Sequence, residues 1–344
     1  MTRILVATLS VAMLTFFASP RLVDACAGLI GSNGAVNLGR TTTLAAYHDG
    51  VEHYVTSFEF LGGGGEFGTL IPLPGVPNNV ERGGAWTLQR LQLETSPPAP
   101  VFAAEAAAGA SRDEEEVLIE VRIDALDITV LKGGAESVAQ WATEHGFQLS
   151  PDAPEMLDFY AERSPIFMAA IFDGDAATER GQAVGDGTPV HLTIPTDNPW
   201  VPLRILGLGK QPQDRVEADV FLLTDEVPSL LPGERDGLAL THSEAASDLL
   251  LDDLRSDEGM GWVPYDAWLT KLIIDTAAEN LKYDLAVDAS GQGQPSPEAA
   301  GLEVSALAAP GDDGGLEEPL IWAAIALAGA LLLFQAGRMV GGRL

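Results

Sequence analysis

The residues best suited to chemistry are two histidines beside a predicted hairpin turn. Asp49-Gly50 is a two-residue sequence that favours a type I′ turn between antiparallel strands. In the register that this turn sets, His48 opposes Val51 and Ala46 opposes His53. The two imidazoles then project from one face as diagonal neighbours, close enough to bind a single metal ion. The spacing therefore predicts a metal site at His48 and His53.

The hairpin does not supply the remaining metal ligands. Glu52 and Tyr47 alternate to the opposite face, so further ligands would have to come from elsewhere in the chain. Two interpretations of the histidines stay open, a metal or acid/base site and a pair of surface imidazoles near a turn. No cofactor other than this metal ion is predicted.

A second group of reactive residue types lies in Thr241-His242-Ser243-Glu244. Members of a catalytic triad meet through the fold rather than along the chain. We therefore interpret this tetrapeptide as the N-terminal cap of a helix over Ser243–Leu254. The chain also lacks a Gly-x-Ser-x-Gly elbow, a phosphate loop, His-Glu-x-x-His and Cys-x-x-Cys, which argues against the familiar hydrolases.

Hydrophobic periodicity predicts the elements that would position these groups. The fold class is α+β, a mixed and mainly antiparallel β body with a few short helices, plus one C-terminal transmembrane helix. The predicted strands include Thr42–Tyr47, Val51–Phe60, Val117–Ile123, Ile166–Phe172, Val201–Leu206 and Ala218–Thr224. The predicted helices include Ala85–Glu94, Ala135–His145 and one that begins with a capping box at Asp152-Ala153-Pro154-Glu155.

The N-terminus predicts export. Residues 1–25 form a signal peptide, with an apolar core over Ile4–Phe17 and a cleavage site after Ala25. Cleavage leaves Cys26 as the first residue, a position at which a cysteine can be lipidated. Because Asp24 fits a lipidation motif poorly, lipidation of Cys26 is the alternative to simple cleavage.

The C-terminus predicts a membrane anchor. Residues 319–337 are apolar and approach the roughly twenty residues that a helix needs to cross the hydrocarbon layer. Glu317 and Glu318 precede this segment and Arg338 follows it, so the positive-inside tendency places residues 338–344 in the cytoplasm. The alternatives are a buried core helix and a processed sorting tail.

Between the two ends lies an extracytoplasmic body over residues 26–288. A Pro-, Ala- and acid-rich stretch at 95–116 marks either a loop or a boundary between two smaller domains. Residues 289–318 are rich in Gly, Pro and acidic side chains, which predicts a disordered stalk. With Cys26 as the single cysteine, no intramolecular disulfide is available to the body.

The charge balance excludes one class of partner. The formal net charge is -31, so the surface repels nucleic acid and anionic headgroups, and no basic patch opposes that repulsion. Nucleic-acid binding is therefore excluded.

Several ordered blocks resemble a known family. They are Cys26-Ala27-Gly28, the stretch from Phe67 to Pro77, the helix end from Trp141 to Phe147, and Trp268-Leu269-Thr270-Lys271-Leu272. Together they resemble the bacterial domain-of-unknown-function family 2330 over most of Cys26–Asp288. The resemblance implies an exported, often membrane-anchored protein without an assigned activity, and it implies strands in Trp268–Val287. It supplies no catalytic residues, and the family's frequent second cysteine is missing here.

These observations predict an uncharacterised cell-surface protein with a single membrane span. Its body is expected to be a non-enzymatic module that binds a protein or an envelope glycan. The alternative is an extracytoplasmic hydrolase that acts on an envelope component, with His48 and His53 in a metal or acid/base site.

Overall fold

Antiparallel β-structure, built from the alternating and fully apolar segments of the sequence, makes up most of the folded chain. The computed structural model describes residues 23–24, 28–31, 34–35, 40–59, 65–96, 119–183 and 187–302. Its strands are β1 (Val23–Asp24), β2 (Gly28–Gly31), β3 (Gly34–Ala35), β4 (Arg40–His48), β5 (Val51–Glu59), β6 (Glu66–Pro72), β7 (Asn79–Arg82), β8 (Glu120–Ile123), β9 (Leu126–Lys132), β10 (Ile166–Asp173), β11 (Gly187–Pro195), β12 (Trp200–Val201), β13 (Arg215–Thr224), β14 (Ser229–Leu231), β15 (Leu238–Ala245), β16 (Trp268–Ala277) and β17 (Leu285–Asp288).

The strands form three sheets. The main sheet has the order β15-β16-β13-β4-β5-β11-β7, with β1 added in parallel beside β4. The second sheet has the order β3-β2-β6-β10-β9-β8, and the third has the order β12-β17-β14. Besides β1 and β4, the parallel pair is β4 with β13, and the other ladders are antiparallel. The predicted mainly antiparallel α+β body is thus confirmed.

Short helices cover the sheets. They are α1 (Thr87–Glu94), α2 (Ala135–Glu144), α3 (Ala153–Ala161), α4 (Gly174–Glu179) and α5 (Asp248–Ser256), with 3₁₀ turns at Arg204–Gly207 and Ala278–Asn280. The predicted helices over 85–94 and 135–145 are confirmed within one or two residues at each end. The wholly apolar strand at 166–172 is also confirmed, since Ile166–Phe172 are all buried in β10.

One face of the main sheet packs against α1 and α5 to form a hydrophobic core. The sheet contributes Leu44, Val55 and Phe221, and the helices contribute Leu91 and Leu254. The connection from α5 to β16 closes over the same core with Met260, Val263 and Ala267, and Trp262 packs at its margin. This connection therefore brings Trp262 beside the side chains of β5.

Two local predictions were wrong. Residues 243–245, the predicted start of the helix over Ser243–Leu254, instead form the end of strand β15, which pairs with β16 across the sheet. The helix begins later, and its cap is Ser247, whose hydroxyl accepts the Leu250 backbone N–H. Residues 201–206 are only briefly extended in β12 before they turn into 3₁₀ structure.

A third difference concerns the start of α3. The Asp152 side chain makes no capping bond to α3, and instead it accepts the Gly209 backbone N–H at 2.9 Å. The predicted capping box is therefore not formed. The Asp152 side chain that would have capped the helix makes the long-range contact with Gly209 instead.

The described body extends into the first part of the predicted stalk. Residues 289–302 belong to the folded body, where Ala299 and Ala300 are buried and the Asp284 backbone N–H donates to Ala300. The rest of the predicted stalk and the predicted membrane helix over 319–337 lie outside the described residues. Among the helices that are described, none is both long and apolar enough to cross a membrane.

Candidate functional site

The hairpin places the predicted histidines as the sequence suggested. Asp49-Gly50 form the turn with positive φ, and β4 pairs with β5 so that His48 opposes Val51 and Ala46 opposes His53. His48 and His53 therefore share the face of the main sheet that α1 and α5 cover. Tyr47 and Glu52 form the neighbouring cross-strand pair, on the opposite face.

The neighbouring strands β11 and β7 add two groups that the sequence did not single out, His191 and Glu81. Strand β11 lies between β5 and β7, where His191 sits opposite Val55 on one side and Glu81 on the other. The His53 Nδ1 and His191 Nε2 atoms are 2.9 Å apart, and the His191 Nδ1 and Glu81 Oε1 atoms are 3.1 Å apart. The three side chains form one continuous hydrogen-bonded chain across three strands.

Which nitrogen donates in each of these hydrogen bonds follows from Glu81. An ionised Glu81 can only accept, so His191 donates from Nδ1 and its neutral ring keeps the lone pair on Nε2. His53 must then donate its Nδ1 proton to that lone pair. The remaining nitrogen of His53, Nε2, carries an unprotonated lone pair and has no hydrogen-bond partner among the described residues. The network thus fixes the tautomers of both histidines.

Burial keeps both imidazoles neutral. The His53 ring stacks on Trp262 with centroids 4.0 Å apart and an interplanar angle of 4°, and His191 stacks on the same indole at 5.1 Å. Burial lowers the pKa of His53 to about 4, helped by His191 and His48 and opposed by Glu81. Burial likewise lowers the pKa of His191 to about 4. At neutral pH the His53 end of these three linked side chains is therefore an uncharged acceptor.

His48 takes different partners from His53. Its Nδ1 atom lies 2.5 Å from an Asp225 carboxylate oxygen, and its Nε2 atom lies 3.2 Å from Asp49. Within the described residues, no group of three or more His, Cys, Asp or Glu side chains is arranged to hold a metal ion. The metal site at His48 and His53 stays a prediction. Cys26, the candidate for lipidation, lies outside the described residues.

The remaining sequence candidates take structural positions. Thr241, His242, Ser243 and Glu244 lie in β15, where the Ser243 hydroxyl accepts the Trp268 indole N–H at 2.8 Å. His191 and Glu81 were missed because they are 110 residues apart in sequence. The available signal was the alternation of Val190, Leu192 and Ile194 with His191 and Thr193, which places His191 on the other face of the strand but identifies no partner for it.

Solved structures offer distant likenesses. A chain of the caspase-8/P35 complex is 8% identical, with a TM-score of 0.37, and the match covers 73% of this chain and 96% of that chain. Baculovirus P35 is also 8% identical, with a TM-score of 0.39 and coverage of 72% and 96%. Similarity at this level establishes neither a shared fold nor a shared activity.

The comparison with family models identifies the family of this chain. No curated protein matches this chain. A family model described as an uncharacterized protein conserved in bacteria matches residues 23–226, which include β4, β5, β7 and β11 and hence Glu81, His191 and both hairpin histidines. The match covers more than half of the chain and includes the first three blocks found in the sequence, whereas Trp268–Leu272 lies beyond it. The chain belongs to the bacterial domain-of-unknown-function family 2330.

Proposed function

We propose that this chain is a non-enzymatic binding module of the bacterial cell envelope. In this proposal the signal peptide exports the body, the helix over residues 319–337 anchors it, and residues 338–344 stay in the cytoplasm. The order of apolar and charged segments supports this topology. The ligand is another envelope component, either a protein or a glycan.

One observation carries the binding role, the hydrogen-bonded chain that ends at His53. Glu81 and His191 hold the His53 ring in a single tautomer, and Trp262 holds its plane. The Nε2 lone pair is therefore a fixed acceptor at the margin of the core. A fixed acceptor beside an aromatic ring binds a ligand donor with little loss of side-chain entropy.

The same observation disfavours the hydrolase alternative. A general base works best when its pKa lies near the operating pH. Burial lowers the pKa of His53 to about 4, so at neutral pH it takes up a proton poorly. A neutral imidazole with that pKa remains a good hydrogen-bond acceptor, which suits recognition better than proton abstraction.

In-cell crosslinking tests the binding role. Tagged full-length chain is crosslinked in intact cells, and mass spectrometry identifies the proteins or glycans that copurify. The informative variant is His53→Phe, which keeps a ring against Trp262 but removes both ring nitrogens. The control is His145→Phe at the exposed end of α2, since His145 also lies beside a tryptophan, Trp141, with ring centroids 5.3 Å apart.

We expect a reproducible partner with the wild type and with His145→Phe, and its loss with His53→Phe. Equal capture by His53→Phe would exclude His53 as the recognition group. If saturating crosslinking yields no partner for the wild type, the binding role itself is rejected.

The topology is tested separately with intact cells. External protease is expected to remove the body and to leave a short fragment that contains the membrane helix and residues 338–344. A body that stays intact under protease until the cells are lysed would contradict the proposed location.

A further inference from the structure

The stacking of Trp262 on His53 depends on the connection from α5 to β16. This connection, residues 257–267, forms neither helix nor strand. The Trp262 indole N–H is buried and has no hydrogen-bond partner within the described part of the chain. The indole is therefore not fixed by a hydrogen bond of its own. Its place over His53 must come from ring contacts and from the backbone on either side of Trp262.

Two backbone turns hold the connection around Trp262. The Met260 N–H donates to the Asp257 carbonyl at 3.1 Å, and the Val263 N–H donates to the Met260 carbonyl at 3.1 Å. Met260 and Val263 are 0% and 2% exposed and belong to the core under α1 and α5. Trp262 lies within the second turn. A shift of the first turn at Asp257 would therefore move the indole.

The side chain of Asp257 fixes where the first turn lies. Its Oδ1 atom accepts the Ala85 backbone N–H at 3.1 Å. Its Oδ2 atom accepts the Trp86 backbone N–H at 2.9 Å and the Thr87 hydroxyl at 2.9 Å. We call these three hydrogen bonds the Asp257 clamp. Hydrogen bonds to a carboxylate are stronger than those between neutral groups, so the clamp ties the connection firmly to the start of α1.

A close backbone contact lies beside the clamp. Gly259 has a φ of +79°, and a Cβ atom at this position would lie 2.6 Å from the Arg82 carbonyl oxygen. Glycine alone allows this approach without strain. Arg82 directly follows Glu81 in β7, and the Gly83 backbone N–H donates to a carbonyl of β11 at 3.0 Å. The segment that the clamp grips is thus joined to the two strands that carry Glu81 and His191.

We propose that Asp257 is a positioning residue of the His53 site, which holds Trp262 against the imidazole through the backbone of the connection. A group that is held in place by a second layer of hydrogen bonds loses less freedom when a ligand arrives. The consequence for ligand binding rests on the proposed function, whereas the effect on the two stacked rings does not.

Positioning and direct electrostatics predict opposite changes in the pKa of His53. Loss of a carboxylate, by its charge alone, lowers the pKa of a histidine because the carboxylate stabilises the imidazolium. Loss of the stacked indole lets water reach the ring, which raises the pKa from its native value of about 4. In Asp257→Ala we therefore expect a rise towards 6.5, together with loss of the nuclear Overhauser contact between Trp262 and His53.

NMR titration of the purified full-length chain tests the proposal. Asp257→Asn keeps one side-chain oxygen and is expected to give a smaller rise than Asp257→Ala. The double variant Asp257→Ala/Trp262→Ala is expected to match Trp262→Ala alone, because Asp257 acts through the indole.

Two control variants are expected to keep the pKa of His53 at about 4. Asp266→Asn removes an exposed charge from the same connection. Asp284→Ala removes a buried carboxylate whose hydrogen bonds go to α3 and to the turn at Arg204–Gly207, so it lowers stability without touching the clamp.

Two results would overturn the proposal. One is a folded Asp257→Ala chain in which His53 keeps a pKa of about 4, and the other is an equal rise in Asp284→Ala. If Asp257→Ala does not fold, the titration of Asp257→Asn decides by the same criteria. In the crosslinking experiment Asp257→Ala is expected to capture less partner than the wild type. A wild type that captures no partner would reject the proposed function, and the titration would still decide the role of Asp257.

Discussion

At the scale of single residues, the neutral state of His53 depends on how its ring is buried. Trp262 covers one face of the imidazole, and the His53 Nδ1–H group donates a hydrogen bond to His191. Burial is the main reason why the pKa of His53 is lowered to about 4. A charged imidazolium in this position would lose hydration without gaining a carboxylate in direct contact.

Removal of the indole should therefore restore an ordinary histidine. In Trp262→Ala we expect the pKa of His53 to rise from about 4 towards the usual 6.5, because water reaches the ring. NMR titration of the imidazole nitrogens measures this shift and also shows whether Nδ1 carries the proton at neutral pH. Tyr265→Ala is the control, since Tyr265 is an exposed aromatic three positions along that stacks with Arg255 instead. A wild-type midpoint near 6.5 would contradict the burial argument.

Sequence distance explains which part of this site could be predicted. His48 and His53 flank a two-residue turn, so the local turn chemistry fixes their register and face. His191 and His53 are 138 residues apart, and only the placement of β11 beside β5 brings them together. A single sequence carries no signal for that placement, because alternating polarity specifies a face but not a neighbouring strand.

At the scale of elements, the same limit applies to the cap of α1. The helix has no local side-chain cap at its N-terminus. Asp257 supplies it from 171 residues away, accepting the backbone N–H groups of Ala85 and Trp86 and the hydroxyl of Thr87. The apolar spacing of α1 predicted the helix, whereas the source of its cap depended on the tertiary fold.

Loss of this remote cap should destabilise the whole core that α1 and α5 cover. Asp257 is 5% exposed, and Asp257→Ala removes the acceptor of the Ala85 and Trp86 backbone N–H groups and of the buried Thr87 hydroxyl. We expect a loss of about 2–3 kcal/mol in the free energy of unfolding, measured with urea. Asp266→Asn on the same connection is expected to change it by less than about 0.5 kcal/mol. Equal effects of the two substitutions would show that the cap is energetically unimportant.

A buried ion pair joins α3 to the third sheet. Asp284 is fully buried and accepts from the Tyr160 hydroxyl, the Arg163 guanidinium and the backbone N–H groups of Leu203 and Arg204. Three of these hydrogen bonds end on Oδ1 and one ends on Oδ2, and together they compensate for the cost of burying the charge.

Breaking this network should cost more than losing the cap. Asp284→Ala leaves the Arg163 guanidinium, which is 8% exposed, without its carboxylate partner. We expect a loss of about 3–5 kcal/mol in the free energy of unfolding, measured by urea denaturation. The comparison is Arg215→Ala, which removes an ion pair with Asp275 at a site where the arginine is 63% exposed. A surface pair contributes little, so similar losses at the two sites would contradict the argument.

At the scale of the whole molecule, the two faces of the main sheet respond to pH in opposite directions. His53 and His191 have native pKa values of about 4 against 6.5 for an ordinary histidine, so the unfolded chain binds more protons and stability falls as the pH drops from 6.5 towards 4. Burial raises the pKa of Glu52 to about 8, against 4.5 for an ordinary glutamate. The native chain therefore binds more protons than the unfolded chain, and stability falls as the pH rises from 4.5 towards 8. The combined contribution of His53, His191 and Glu52 to the free energy of unfolding is therefore largest near pH 6.5.

Glu52→Gln separates the contribution of Glu52 from that of the two histidines, because glutamine keeps the shape of the protonated side chain but cannot ionise. The variant and the wild type should be similar in stability near pH 4.5, and the difference should grow up to pH 8, where Glu52 is about half ionised in the native state. There we expect the variant to be more stable by about 2–4 kcal/mol, from the shift in pKa. Urea unfolding at several pH values measures this, with Glu136→Gln on the exposed face of α2 as the control. A difference that does not vary with pH would mean that Glu52 is ionised in the folded protein, and the buried surroundings of its side chain would then have to hold a charge.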